Sequence, residues 1–301
     1  MIDKLEFVLA LARERHFGRA AEACGVTQPT LSAGLKSLEE GLGILIVQRS
    51  SRFGGFTPEG ERVLDWARRI VADAKAMRQD IEAARRGVSG HVRLAVIPTA
   101  LPMVARLTTP FCERHPAVRF TVLSRTSTEI LQLLENLEVD AGISYLDNEP
   151  LGRVRTVPLY AERYRLLTAS GGEFGAREEV TWAEVGRLPL CLLTPDMQNR
   201  RIIDQMLRNH GMEPDPTLVS NSTIVLASHV ETGRWSSILP PTLAGSLGLS
   251  DAVASVPIVD PVVTHAVGLV VPYREPTSAV IGALVEEGTR LADELSRTDE
   301  R

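Results

Sequence analysis

Apolar residues at the start of the chain recur every three or four positions. Leu5, Val8, Leu9, Leu11 and Ala12 fit one face of a helix of about a dozen residues. His16, Phe17 and Gly18 interrupt that pattern, and Arg19 to Cys24 predicts a short, Ala-rich helix that a neighbour can approach closely. Gly25 supplies the left-handed residue on which helices often end. Thr27 has the chemistry of an N-cap, and Pro29 falls in the first turn, where its missing N–H costs little. The third helix is expected to bury a stripe of Leu31, Leu35, Leu38 and Leu42 and to turn Gln28, Thr30, Ser32, Ala33 and Lys36 the other way. From residue 59 to 86 a different period sets in. Val63, Ala67, Ile70, Ala74, Met77, Ile81 and Ala84 alternate at spacings of four and three, the a and d seam of a heptad. At 1.5 Å per residue this makes a rod of roughly 40 Å.

After Gly87, Ser89 and Gly90 the pattern changes to strands alternating with helices. Strands are expected at His91–Ile97, Val118–Leu123, Asp140–Tyr145, Tyr164–Leu167, Pro189–Leu193, Thr217–Ser220, Ser236–Leu239 and Val267–Val271. Helices are expected at Val104–Glu113, after Thr126, and near Asn199–His210, Ile224–Thr232 and Ser278–Ala292. The alternation predicts a parallel α/β sheet.

Composition narrows the class. With 301 residues the chain is too long for one ordinary core, and 44% apolar with 24% charged residues is a globular mixture, which excludes a disordered, collagen-like or disulfide-scaffold protein. Apolar runs such as Val267–Pro272 fall far short of the roughly 18 residues of a membrane span. Asp3 and Glu6, with no small-residue cleavage site after them, argue against a signal peptide, so the cytoplasm is the expected compartment. Cys24, Cys112 and Cys191 lack C-x-x-C spacing, and the six histidines lack ligand spacing, so neither a metal nor another cofactor is expected. A redox pair of Cys112 and Cys191 stays open. The net charge of −5 is uneven: residues 1–88 hold 14 basic and 12 acidic side chains, whereas the remainder is acidic. A near-neutral first segment can bind DNA if its cations share a face.

Two short helices, a glycine turn and a helix with a small polar face form a helix-turn-helix. Gln, Thr and Ser suit base edges in the major groove, although an ordinary helical hairpin has the same pattern. The run Ala20-Ala21-Glu22, Val26 to Ser32 and Leu38 to Gly43, then Gln48-Arg49 and Thr57-Pro58-Glu59-Gly60, resembles the DNA-binding segment of LysR-type transcriptional regulators. The resemblance implies an α plus α/β protein: a winged helix-turn-helix (1–58), a linker and dimerisation helix (59–88), and a two-lobed effector domain built like a periplasmic binding protein (89–301). Lobe I would hold about 91–163 and 266–301, and lobe II about 164–265, joined by crossing strands near Pro158–Tyr164 and His265–Val271. Thr27, Gln28, Pro29, Thr30, Ser32 and Lys36 would face DNA from the recognition helix. Ile44 to Phe56 would form the wing, with Arg49 and Arg52 on phosphates. The sequence departs from the family pattern in having Ala33 after Ser32, Gly34 in mid-helix, and Val47 in place of an aromatic.

In open α/β sheets, ligands bind beyond the carboxyl ends of strands, where helix N-termini favour anions. Thr99 and Ala100, Thr126, Ser127 and Thr128, and Gln198 and Asn199 occupy such places. The family resemblance adds Ser144, Asn221 and Ser222. Arg200 and Arg201 could supply charge, and the expected effector is a small organic acid or similar anion. As partners, the resemblance implies double-stranded promoter DNA, a second copy paired through 59–86, further assembly to a tetramer, and contact with RNA polymerase. The rivals are a solute-binding sensor without specific DNA binding, a non-specific nucleoid binder, and an enzyme. None of the common nucleophile, metalloprotease, P-loop or dinucleotide motifs is present to support the last.

Overall fold

The computed structural model describes residues 1–48 and 53–299. They form two compact units, the first made of Met1–Val88 with Glu135–Glu138 and Glu275–Val280, the second of the rest.

In the first unit, α1 (Ile2–Glu14) buries Leu5, Val8 and Leu11. Helix α2 (Phe17–Ala23) starts earlier than its sequence suggests. His16 is its N-cap and accepts from the amides of Gly18 and Arg19, so Phe17 and Gly18 are helical. Helix α3 (Gln28–Leu42) starts at Thr27, whose hydroxyl accepts from the Thr30 amide. Leu31, Leu35 and Leu38 are buried, but Leu42 is 49% exposed, because the helix ends there and Gly43 turns left-handed. Gly34 lies against the ring of Phe7 on α1: a Cβ there would come 2.7 Å from it, so the residue trades helix propensity for close packing. After α3, Glu39 accepts from the amides of Ile46 (2.7 Å) and Val47 (3.1 Å), and Val47 bridges to Phe56. Thr57 caps α4 (Pro58–Arg86), and its hydroxyl donates to the Leu45 carbonyl at 2.5 Å. The start of α4 packs on α1 through Leu64 and Ala67.

The second unit holds two lobes. In chain order it runs β1 (Gly90–Val96), a 3-10 turn (Pro98–Met103), α5 (Val104–Arg114), β2 (Val118–Ser124), α6 (Ser127–Glu135), β3 (Ala141–Tyr145) and β4 (Val154–Glu162). There follow β5 (Arg165–Ala169), β6 (Val180–Thr181), α7 (Trp182–Val185), β7 (Cys191–Leu193), α8 (Gln198–Asn209), β8 (Leu218–Ser220), α9 (Thr223–Glu231) and β9 (Ser237–Leu239). Helix α10 (Pro241–Ser246), β10 (Val253–Val259), β11 (His265–Pro272) and α11 (Ala279–Asp299) complete it.

Strand order in the first lobe is β2-β1-β3-β11-β4. The expectation of a parallel sheet is corrected here. Strands β1, β2 and β3 are parallel, but β11 runs antiparallel to both of its neighbours. The reason is that β4 and β11 are the two crossings between lobes, one leaving and one returning. Strand β4 lies at the sheet edge, where Pro158 needs no ladder partner on its outer side. Opposite it the register slips at Val267/Gly268, and a Cβ on Gly268 would lie 2.3 Å from the Val157 carbonyl. The second lobe has a sheet β6-β10-β5-β9 and a pair β7-β8, around a core that includes Leu167, Cys191, Leu193, Leu226 and Leu239. Its β10, which contains Pro257, has no counterpart among the expected strands. No helix among the described residues is long and apolar enough to cross a membrane.

Candidate functional site

Two sites emerge, one in each unit. On α3 the side chains of Gln28, Pro29, Thr30, Ser32 and Lys36 are all exposed, while Leu31, Leu35 and Leu38 are buried. Thr27 is also exposed, and its hydroxyl lies 2.9 Å from that of Thr30. Lys36 stands 3.7 Å from Glu40, an exposed pair that leaves it available to another anion. Arg49 and Arg52 lie outside the described residues.

In the second unit a cavity opens where the carboxyl ends of β1 and β3 meet the start of α8. It encloses about 210 Å³ of space, its open mouth included, with room inside for little more than a water-sized molecule. Ile97, Pro98, Thr99, Thr126, Ser127, Tyr145, Leu193, Met197, Gln198 and Asn199 line it. Of the ten residues expected at the effector site, the structure therefore brings together five: Thr99, Thr126, Ser127, Gln198 and Asn199. Ala100 is buried beside the cavity but does not line it, and Thr128 points to solvent one position past Ser127. Ser144 faces away, because neighbours on a strand alternate and Tyr145 takes the cavity side. Asn221 is exposed, and Ser222 serves as the N-cap of α9.

Three element starts converge on this space. Thr126 caps α6 reciprocally with Glu129: its amide donates to the carboxylate and its hydroxyl accepts from the Glu129 amide. By contrast α8 is uncapped, since Met197 offers no side-chain acceptor. The first amide bonded back within it is that of Arg201, to Met197. The amides of Gln198, Asn199 and Arg200 thus open the helix without backbone partners, where an anion is favoured.

Beneath the cavity lies a group the sequence pattern did not single out. Glu162, at the end of β4, is 1% exposed. Burial pushes its carboxyl from 4.5 up to about 7, against the opposing pull of Tyr145, Thr99 and Asn199. Among the described residues only the Tyr145 hydroxyl donates to it at hydrogen-bonding distance, to Oε1, and Oε2 is buried without a partner. Tyr145 in turn accepts from Asn199 Nδ2 at 3.3 Å and lies 3.5 Å from Thr99 Oγ1. The hydroxyls of Tyr160 and Tyr164 are also buried without partners. All three phenols are held neutral, first by burial and then by the charge of Glu162. His265 sits across the β4–β11 ladder from Glu162 and is 3.1 Å from Asp147.

The two arginines at the start of α8 are both ion-paired and do not offer free charge. Arg200 is buried, paired with Asp204 at 2.6 Å and donating to the Leu193 carbonyl. Arg201 pairs with Glu149 at 2.7 Å, which ties α8 to the loop after β3, as does the bond from Gln198 Nε2 to the Asp147 carbonyl. Among the described residues no cationic side chain lines the cavity. All three cysteines are free thiols outside it, and burial pushes that of Cys191 up to about 11. Among the described residues no cluster of His, Cys, Asp and Glu could hold a metal ion.

A family model described as the LysR substrate binding domain matches residues 85–292, and one for bacterial regulatory helix-turn-helix proteins of the lysR family matches residues 2–61. The DNA-binding transcriptional dual regulator OxyR of Escherichia coli K12 is 28% identical over 274 residues, covering 91% of this chain and 89% of the relative. A hydrogen peroxide-inducible genes activator of Dickeya chrysanthemi is 27% identical over the same shares. Among solved structures, a full-length OxyR variant from Pseudomonas aeruginosa has a TM-score of 0.75 at 25% identity, covering 96% of this chain and 97% of that one. CbnR complexed with its target DNA shares the fold, with a TM-score of 0.62 at 21% identity over 97% and 99%. An exposed polar face on the third helix and a small cavity in a two-lobed domain are thus parts of one architecture, and the chain belongs to the LysR family of transcriptional regulators.

Proposed function

We propose that this regulator reads promoter DNA as a homodimer and is switched by a small anion bound in the cavity between its effector lobes. Gln28, Thr30 and Ser32 meet base edges in the major groove. Thr27 and Pro29 set the helix start, while Lys36, Arg49 and Arg52 contact phosphates. The exposed seam of α4 pairs two copies, and effector domains assemble them further into tetramers that contact RNA polymerase in the cytoplasm. One observation carries the effector reading: the uncapped start of α8 opens into a buried space already lined by Thr99, Ser127 and Asn199. Relatives named for hydrogen peroxide suggest oxidation as a signal instead. A cavity without a cysteine, together with a buried Cys191 thiol, supports a reversibly bound ligand rather than an oxidised sulfur.

The test uses the DNA upstream of the chain's own gene. Gln28→Ala and Ser32→Ala are each expected to cost about 1–3 kcal/mol of discrimination against random duplex in gel shifts, with unchanged melting. A thermal-shift panel of small carboxylates and oxidants then addresses the switch. Stabilisation by a carboxylate supports the reading, and a response to oxidant alone sinks it.

A further inference from the structure

The polar groups of the cavity share one difficulty. Thr99, Tyr145 and Asn199 line it, yet all three also crowd around the buried carboxyl of Glu162. While Glu162 is a carboxylate it draws the Tyr145 hydroxyl proton away from the cavity, and its own charge opposes an incoming anion. Among the described residues it has no ion-pair partner that would cancel that charge. The charged and titratable groups around it are few. Tyr145 on β3, Tyr160 on β4 and Tyr164 after it are neutral phenols. Asp147 after β3 and His265 on β11 are paired with each other, and Arg200 and Arg201 at the start of α8 are paired with Asp204 and Glu149.

We propose that Glu162 is the proton-holding floor of the effector site, so that a small carboxylate binds together with one proton. This rests on the anion reading of the cavity given above. The bookkeeping of the step is simple. A proton from solvent goes onto the Glu162 carboxyl, which then donates to the Tyr145 oxygen. The Tyr145 O–H is released to donate into the cavity, toward the anion held at the start of α8. No covalent bond of the protein changes. Glu162 acts through Tyr145 and is a positioning residue. A mere packing role would leave ligand affinity independent of pH.

The cavity is small enough that formate and acetate, the two smallest carboxylates, are the probes, and both stay ionised above pH 6. With a floor that titrates at about 7, the affinity for acetate is expected to be about 30-fold weaker at pH 8.5 than at pH 6 by proton linkage. Calorimetry in two buffers of different ionisation enthalpy should show about one proton taken up per acetate at pH 8 and almost none at pH 6. Glu162→Gln, which keeps the shape and cannot ionise, should bind equally at both pH values, and Tyr145→Phe should bind weakly at both. Proton uptake in the unaltered protein tests the idea even if neither variant folds. Binding with a flat pH profile and no proton uptake overturns the role of Glu162 and leaves the anion reading standing. No binding of either probe at pH 6 overturns the anion reading, and the proposal with it.

Discussion

Gly60 shows how one position can be fixed by a neighbour rather than by its own helix. It sits in the first turn of α4, and a Cβ there would lie 2.0 Å from the Ile46 carbonyl oxygen. Because the obstacle is backbone, the overlap is not relieved by a rotamer change. Gly60→Ala is therefore expected to destabilise the first unit by about 3 kcal/mol, more than any gain in helix propensity returns; urea unfolding would measure it. Glu162 makes the opposite point, that a buried acid can be kept at a cost. Its folded carboxyl titrates near 7 and its unfolded one near 4.5. Between those values the folded state holds the extra proton, so stability falls as pH rises through the window and the loss is complete above 7. The difference in unfolding free energy between Glu162→Gln and the unaltered chain should shift by about 3 kcal/mol in favour of the variant between pH 4.5 and pH 8. A constant difference across that range would contradict the burial of the charge. In the sequence this acid looked like any polar residue at a strand end. Only the crossing of β4 beside β11 put it underground.

At the scale of elements, α4 carries the plainest period in the chain. Its seam is real as a pattern, but its two halves do different jobs. Ala67 belongs to the core shared with α1, whereas Ile70, Met77 and Ile81 remain exposed in the single chain. Among the described residues of its unit, an apolar edge of that kind, with Ile81 56% exposed, is left without a covering partner. Ile81→Glu should leave the melting of the monomer's core unchanged and shift sedimentation toward the single chain at micromolar concentration. If the variant sediments as the unaltered protein does, pairing uses another surface. Strands proved harder to read than helices wherever proline entered them. Pro257 breaks the alternation that would mark β10, and Pro158 that of β4. Both accommodate the residue through position in the sheet, which local sequence does not record.

For the whole molecule, the two sites lie in separate compact units, so their chemistry should separate in experiment. Thr99→Ala removes a hydroxyl from the cavity and from the Tyr145 cluster without touching α3. It is expected to weaken acetate binding by about 3- to 10-fold, the usual worth of one hydrogen bond, while operator affinity without ligand stays unchanged. Equal effects on both in paired calorimetry and gel shifts would show that the residue supports the fold rather than the site.

What the sequence determined by itself were features of short range. The helix-turn-helix follows from Gly25, Thr27, Pro29 and the leucine stripe, because caps and periodicity act within a turn or two. The placement of Thr99, Thr126 and Gln198 at element starts follows from the same local rules. Tertiary structure alone decided which of those starts share a cavity, and it left Thr128, Asn221 and Ser222 outside. It also decided that Arg201 is spent on Glu149 in a distant loop, and that a glutamate lies beneath the ligand space. Each of these depends on pairing between segments more than a dozen residues apart, and burial, unlike helix capping, is a property of the packed chain rather than of its neighbours in sequence.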